Sequence, residues 1–207
     1  MKKKMRGVGL SLLMLCCGAM SFAESPTPTP QKCFDFDTGT NTITGYKFLD
    51  PDCGKNVVIP AEIGGKQVTS IGDSAFYGNQ LTGVVIPGSV KSIGKNAFQE
   101  NKLTSVVIPG SVTSIGEQAF AVNQLTGVVI PGSVTSIGAV AFYLNKLTSV
   151  VISDGVESIG EAVFAENKLT SVVIPDSVTS IGTGAFYKGS VTDGYTGVVV
   201  GIVTKDP

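Results

Sequence analysis

Residues 103–123 read LTSVVIPGSVTSIGEQAFAVN, and this phrase returns along the chain with a period of 22 residues. A fixed period of this size is typical of solenoids, in which each coil buries its apolar side chains only against neighbouring coils. The repeat therefore predicts that function is carried by surfaces rather than by one pocket. The register is marked by Ile71, Ile93, Ile115, Ile137, Ile159 and Ile181 and by Phe76, Phe98, Phe120, Phe142, Phe164 and Phe186.

The first six residues of each unit have the spacing of a strand with one buried side, and in most copies a proline ends the segment. Stacked in register, these segments predict a parallel sheet on one face of the solenoid. The other side has room only for turns and short 3-10 or helical segments. The inward residues of one copy are expected to be Leu103, Val106, Ile108, Val112, Ile115, Ala119 and Phe120.

The N-terminus reads as a secretory signal peptide over residues 1–23. Residues 2–4 and 6 are basic, residues 8–20 are largely apolar, and small residues precede a cleavage site after Ala23. The apolar run is too short for a stable membrane anchor, so we predict export and no transmembrane segment. Lipid attachment at Cys16 or Cys17 is the less favoured alternative, because the residues before them are bulky.

Composition argues against several classes of function. Removing residues 1–23 takes away four of the 15 basic residues and none of the 16 acidic ones, which leaves a net charge near −5. That charge disfavours nucleic acid as a partner. The remaining chain has no histidine, arginine or tryptophan. Without the commonest general base and the bidentate anion ligand, we expect no enzyme, no cofactor, no metal site and no small-molecule substrate.

Two segments precede the repeats. Residues 24–31, ESPTPTPQ, predict a semi-rigid spacer because alternating prolines keep the backbone extended. Residues 32–56 predict a hairpin that covers the open end of the solenoid. Cys33 and Cys53 flank the hairpin, and an even pair in an exported chain predicts one disulfide.

Six repeats are predicted over residues 57–190, and the first carries an insertion around residues 64–67. Residues 191–207 depart from the pattern and predict a short C-terminal cap. Two columns within the repeats read as structural. The asparagine that ends each unit is expected to satisfy backbone groups of its own turn. The glycine after each isoleucine is expected to give the backbone freedom for a turn.

The unit at 103–123 resembles the BspA-like (Treponema-type) leucine-rich repeat of bacterial surface proteins, and the likeness covers about residues 57–190. Asn79, Asn101, Asn123, Asn145 and Asn167 hold the column where that family has Cys or Asn. The resemblance implies a leucine-rich-repeat solenoid that is displayed or released as a binding module. It also implies extracellular protein partners, such as host matrix proteins or proteins of neighbouring cells.

One outward strip is a candidate protein-binding surface. Its uncharged, partly apolar rows are five strands wide, which favours a contact site. The alternative interpretation is strand propensity, because β-branched residues stack well on any pleated surface. The strip comprises Thr82, Val85, Thr104, Val107, Thr126, Val129, Thr148, Val151, Thr170 and Val173.

The predicted function is therefore a secreted or surface-displayed module for protein–protein interaction, with adhesion as its role. The alternative is a structural envelope or matrix protein that self-associates through the same uniform face. A calcium loop at Asp35-x-Asp37-x-Gly39-x-Asn41 is a weaker alternative to a hairpin turn, because Tyr46 stands where a closing Glu is needed.

Overall fold

The computed structural model describes residues 26–188 and the backbone of the strands at 198–199 and 201–204. The predicted signal peptide, with Cys16 and Cys17, lies outside the described residues. Most of the predicted C-terminal cap also lies outside them.

Most coils contribute two short strands, which belong to two separate ladders. In the coil that starts at Leu103 the expected strand at 103–108 is absent, and only the Ser-Ile step is a strand. The first ladder is built mainly from the Val-Val-Ile segments and is interrupted, since its strands pair only two by two. It contains β3 (Asn56–Val58), β7 (Gly83–Val85), β10 (Gly127–Ile130), β12 (Ser149–Ile152), β14 (Ser171–Ile174) and β18 (Gly201–Thr204). All described pairings in this ladder are parallel, between β3 and β7, β10 and β12, and β14 and β18.

The second ladder is built from the Ser-Ile steps and forms one continuous sheet. It contains β6 (Ser70–Ile71), β8 (Ser92–Ile93), β9 (Ser114–Ile115), β11 (Ser136–Ile137), β13 (Ser158–Ile159) and β15 (Ser180–Ile181). With the hairpin strands β1 (Phe34–Asp37) and β2 (Thr42–Tyr46) it makes eight strands. The sequence pattern did not predict this ladder, because a two-residue strand is too short to show alternation.

The remaining elements are local. A 3-10 helix, Gln31–Cys33, opens the cap. The insertion in the first unit forms a small hairpin of β4 (Glu62–Ile63) and β5 (Lys66–Gln67). β16 (Tyr187–Lys188) pairs with β17 (Val198–Val199). The side predicted to hold turns or short helices is made of turns in the described repeats.

A stack of phenylalanine rings runs through the interior along the solenoid axis. From Phe76 to Phe186, successive ring centroids are 4.9 to 5.5 Å apart and the planes lie within 14° of parallel. Phe34 and Tyr46 of the hairpin pack on Phe76 at 6.3 and 5.3 Å and close the stack. The predicted N-terminal hairpin therefore covers the aromatic core as well as the strand edge.

The asparagine column joins adjacent coils. Asn123 Nδ2 donates to the carbonyl oxygens of Phe120 and Ala121 in its own coil and of Phe98 in the preceding one, at 2.9 to 3.2 Å. Its Oδ1 accepts the backbone N–H of Leu103 at 3.1 Å. The structural interpretation of this column is confirmed, and the bonds between coils add a role that the sequence did not indicate.

The glycine that follows each isoleucine is required for a reason other than the predicted backbone freedom in a turn. None of the six glycines after isoleucine has a left-handed φ. Instead the neighbouring coil leaves no room for a side chain. A Cβ at Gly116 would lie 2.7 Å from the backbone of Gly94 and Lys95, and one at Gly138 would lie 2.5 Å from the Glu117 nitrogen. The turn interpretation was wrong, since the requirement is close approach between coils.

Left-handed backbone is found elsewhere in each turn. In the coil that starts at Leu103, Gln118 and Val122 have φ of 56° and 55°. The column of Val122 holds Gly78 in the first unit, where φ is 65°. A β-branched residue in this conformation is strained, so packing between coils holds the turn against its local preference.

The cap is attached at several points. The Cys33–Cys53 disulfide is present. Ile43 of β2 pairs with Ile71, so the hairpin supplies the first parallel neighbour of the Ser-Ile ladder. Within the segment predicted as a spacer, Thr29 exchanges two 2.9 Å hydrogen bonds with Val58. The end of that segment therefore lies against the first coil.

Candidate protein-binding face

The ten residues of the predicted strip share one face and are all exposed; we refer to them as the Thr/Val strip. Its valines are 47 to 80 % exposed, and Val107 is the most exposed. The preceding valine of each strand points inward, as Val106 and Val128 do at 8 and 5 % exposure. Strand alternation therefore produces the strip, because burying one valine of each pair turns the other to solvent.

Strand pairing sets the rows side by side. Val129 pairs with Val151 in the parallel ladder, and Val58 pairs with Val85 at the N-terminal end. Val58 continues the valine row by one strand, which the sequence analysis missed. The sequence does contain the pattern that places Val58 in this row, because Val57-Val58 aligns with Val84-Val85 once the insertion in the first unit is left out.

Small residues separate the two rows and form a trough along the solenoid axis. We define this trough by Gly83, Ser105, Gly127, Ser149 and Ser171. A shallow groove of about 370 Å³ lies over Val107, Gly127, Val129 and Ser149. A second groove, of about 350 Å³, lies over Gly83, Val85 and Ser105. The grooves are lined by the valine row and the small residues, so the depression runs over the Gly/Ser column beside the valines.

The strip is uncharged, and one of its edges is basic. The column that precedes the strip in each coil contains Gln80, Lys102, Gln124, Lys146 and Lys168. Its three lysines are exposed, and Lys146 Nζ donates to Gln124 Oε1 at 2.8 Å. The face therefore offers apolar contact at its centre and positive charge along one edge.

The calcium-like segment of the hairpin is occupied by its own hydrogen bonds. Asp37 accepts the backbone N–H of Gly39 and the hydroxyl of Thr40, both at 2.8 Å. The Thr40 bond, followed by that of Gly39, lowers the pKa of Asp37 below its ordinary value. Asp35 pairs instead with Lys47 at 3.2 Å. This geometry is a hairpin turn, and the described residues contain no group of three metal-ligating side chains that could hold an ion.

The fold also raises the pKa of two tyrosines outside the strip. Burial raises the pKa of Tyr46, whose hydroxyl donates to the Gly54 carbonyl at 2.6 Å. The hydrogen bond to Glu100 raises the pKa of Tyr77. Neither tyrosine lies on the Thr/Val strip. Among the residues that the structure describes, we find no helical segment with the length and hydropathy of a membrane span.

The repeats match a known family model. A model described as BspA type leucine-rich repeat region matches six copies over residues 69–192. A search of curated protein sequences found no match.

Solved structures of bacterial leucine-rich-repeat proteins are similar to this chain. A leucine-rich-repeat protein of T. pallidum is 25 % identical with a TM-score of 0.56, and the match covers 84 % of this chain and 100 % of that one. The pneumococcal vaccine antigen PcpA is 25 % identical with a TM-score of 0.58, covering 68 % of this chain and 41 % of its own. A leucine-rich cell surface protein of Faecalibacterium prausnitzii is 29 % identical with a TM-score of 0.53, covering 79 % and 52 %. The chain thus spans about half or less of the latter two structures.

Proposed function

This chain belongs to the BspA-type leucine-rich-repeat family, and from that premise we propose that it is a secreted or surface-displayed module that binds other proteins through the Thr/Val strip. Its role is adhesion to host proteins or to proteins of neighbouring cells. It acts without catalysis or a cofactor.

The observation that carries this proposal is the exposure of five aligned valines on a face without charge. Single exposed apolar side chains are ordinary on a protein surface. A contiguous row of them is uncommon in a monomer and marks contact sites. The basic edge beside the row gives the surface the usual arrangement of an interface, with an apolar centre and a polar rim.

Two further features support display outside the cell. The predicted signal peptide over residues 1–23 directs export. The matched protein of F. prausnitzii is described as a cell surface protein. The disulfide is suited to an oxidising compartment, where such bonds persist.

The test is a pull-down of extracellular proteins with residues 24–207, together with binding of the same protein to cells. The double variant Val107→Lys and Val129→Lys should lower capture at least about tenfold, because it places two charges in the centre of the contact. Its control is Thr113→Lys with Thr135→Lys, which adds the same charges to the same coils at exposed sites on the Ser-Ile ladder.

Equal capture by the two double variants would contradict a role for the strip. Light scattering on the purified protein tests the alternative function, a structural protein that self-associates through the same face. Concentration-dependent assembly that disappears only in the valine variant would favour the self-associating structural protein over the adhesin.

A further inference from the structure

We propose that the occupant of the Thr/Val strip is an amphipathic α-helix of the partner protein, lying in the trough along the solenoid axis. This inference rests on the proposed function and adds the kind of structure that the surface fits. Shape, spacing and charge each favour a helix.

The spacing of the two rows admits one face of a helix. The Thr and Val rows are three residues apart along each strand, for example at Thr82 and Val85, which is about 10 Å at strand geometry. A whole α-helix with its side chains is about 10–12 Å across, so it rests on the rows and only the side chains of its facing stripe enter the trough. The floor between the rows is glycine or serine in every coil from Gly83 to Ser171, so nothing large stands in the path.

The spacing of the coils matches the pitch of a helix. The four steps from Phe76 to Phe164 together cover about 21 Å. Four helical turns advance about 22 Å, so one side chain per turn stays in step with the grooves between coils. If the coils were instead about 4.8 Å apart, the spacing of an ideal β-ladder, the side chains of the helix would fall out of step with the coils by about half a turn over four steps.

An extended peptide does not keep this register. Its side chains on one face recur about every 6.8 Å, so four repeats cover about 27 Å and drift by more than one whole coil. A strand crossing the ladder would therefore set its side chains against valine ridges as often as between them. The period of the surface thus distinguishes the two kinds of ligand.

Charge specifies one flank of the helix. Lys102, Lys146 and Lys168 line the edge beside the threonine row. A helix with Glu or Asp along the flank that faces this edge gains attraction that an uncharged or basic flank does not. The predicted partner segment is therefore about four turns long, apolar on one face and acidic on one flank.

The experiment uses three synthetic 18-residue peptides and measures their binding to residues 24–207 with the disulfide intact. The first has leucine at helical spacing and glutamate on one flank. The second has the same residues in strict alternation, and the third has the helical order with a central Glu exchanged for Pro. The helical peptide should bind at least about tenfold more tightly than the other two, because only its side chains match the coils.

Protein variants locate the contact. Ser105→Leu fills the trough and should weaken the helical peptide at least about tenfold. The control is Ser114→Leu, the same change at an exposed position of the same coil on the Ser-Ile ladder, which should have no effect. Lys146→Glu should weaken the Glu-flanked peptide about two- to fivefold and leave a Gln-flanked version unchanged.

The inference is overturned if the alternating peptide binds as tightly, if the two leucine variants behave alike, or if the helical peptide does not bind at 1 mM. A dimer of this chain that Ser105→Leu disrupts would make a second copy the occupant and would also overturn it. If the peptides fail while Val107→Lys with Val129→Lys still abolishes protein capture, the proposed function stands and only the helical ligand is wrong.

Discussion

Replacing Gly116 with alanine should destabilise the solenoid, whereas the same change at Gly110 should not. Both glycines belong to one coil, six residues apart, and neither has a left-handed φ. They differ in their surroundings. A Cβ at Gly116 would lie 2.7 Å from two backbone atoms of the preceding coil, while a Cβ at Gly110 would meet nothing within 4 Å.

The magnitude follows from how firmly the coils are held together. Relieving a 2.7 Å contact requires the two backbones to separate by roughly half an ångström, but the Gly116 N–H bonds to the Ile93 carbonyl at 2.8 Å. Overpacking of this kind costs about 1–3 kcal/mol. Alanine also lowers the conformational entropy of the unfolded chain, which offsets about 0.4–1 kcal/mol of this loss. The expected net loss is about 1–2 kcal/mol.

Urea unfolding followed by circular dichroism gives the comparison, with the wild type and Gly110→Ala measured beside Gly116→Ala. The midpoint should fall for Gly116→Ala, and Tm should fall by roughly 2–8 °C. Gly110→Ala should match the wild type or exceed it by less than about 1 kcal/mol. Equal midpoints for the two variants would refute the close-approach explanation of the glycine column.

Four other substitutions test three separate features. Asn123→Ala should cost about 3–5 kcal/mol of unfolding free energy because buried backbone groups lose their partners. Asn79→Ala, which removes a single described hydrogen bond, should cost about 1 kcal/mol in the same urea experiment. Val122→Asn should raise the urea midpoint by the equivalent of about 0.5–1 kcal/mol, since asparagine tolerates its φ of 55° better than a β-branched residue. For Tyr46, the raised pKa means that its contribution is complete below the unfolded value near 10 and is lost as pH rises through the folded value. Tyr46→Phe should therefore reduce the fall in stability above about pH 10, measured by urea midpoints across that range.

Each of these has an outcome that would contradict it. Equal losses for Asn123→Ala and Asn79→Ala would mean that the bonds between coils contribute little. A lower midpoint for Val122→Asn would show that its side-chain packing outweighs the backbone strain. An unchanged alkaline profile for Tyr46→Phe would place the pH dependence in other groups.

The candidate surface was predictable because it depends on local alternation. Val128 and Val129 are adjacent in β10, so one faces the core and the other faces solvent. The ten strip residues were therefore located from the repeat alone. Val58 was missed because the insertion at 64–67 shifts the first unit out of the 22-residue register. The trough and its basic edge required the structure, because they depend on which columns lie side by side.

The solenoid, the buried columns and the outward valine row follow from the sequence, since each depends on a period or an alternation that neighbouring residues express. The disulfide follows from the pair of cysteines left after the predicted signal peptide. The tertiary structure was needed to show that the Ser-Ile steps form the continuous sheet and that Phe34 and Tyr46 close the aromatic stack. It also explains the glycine after each isoleucine, because the backbone of the preceding coil lies within 3 Å of where a Cβ would stand. These features depend on the distance between coils 22 residues apart, which local propensity does not encode and which packing of the whole stack sets.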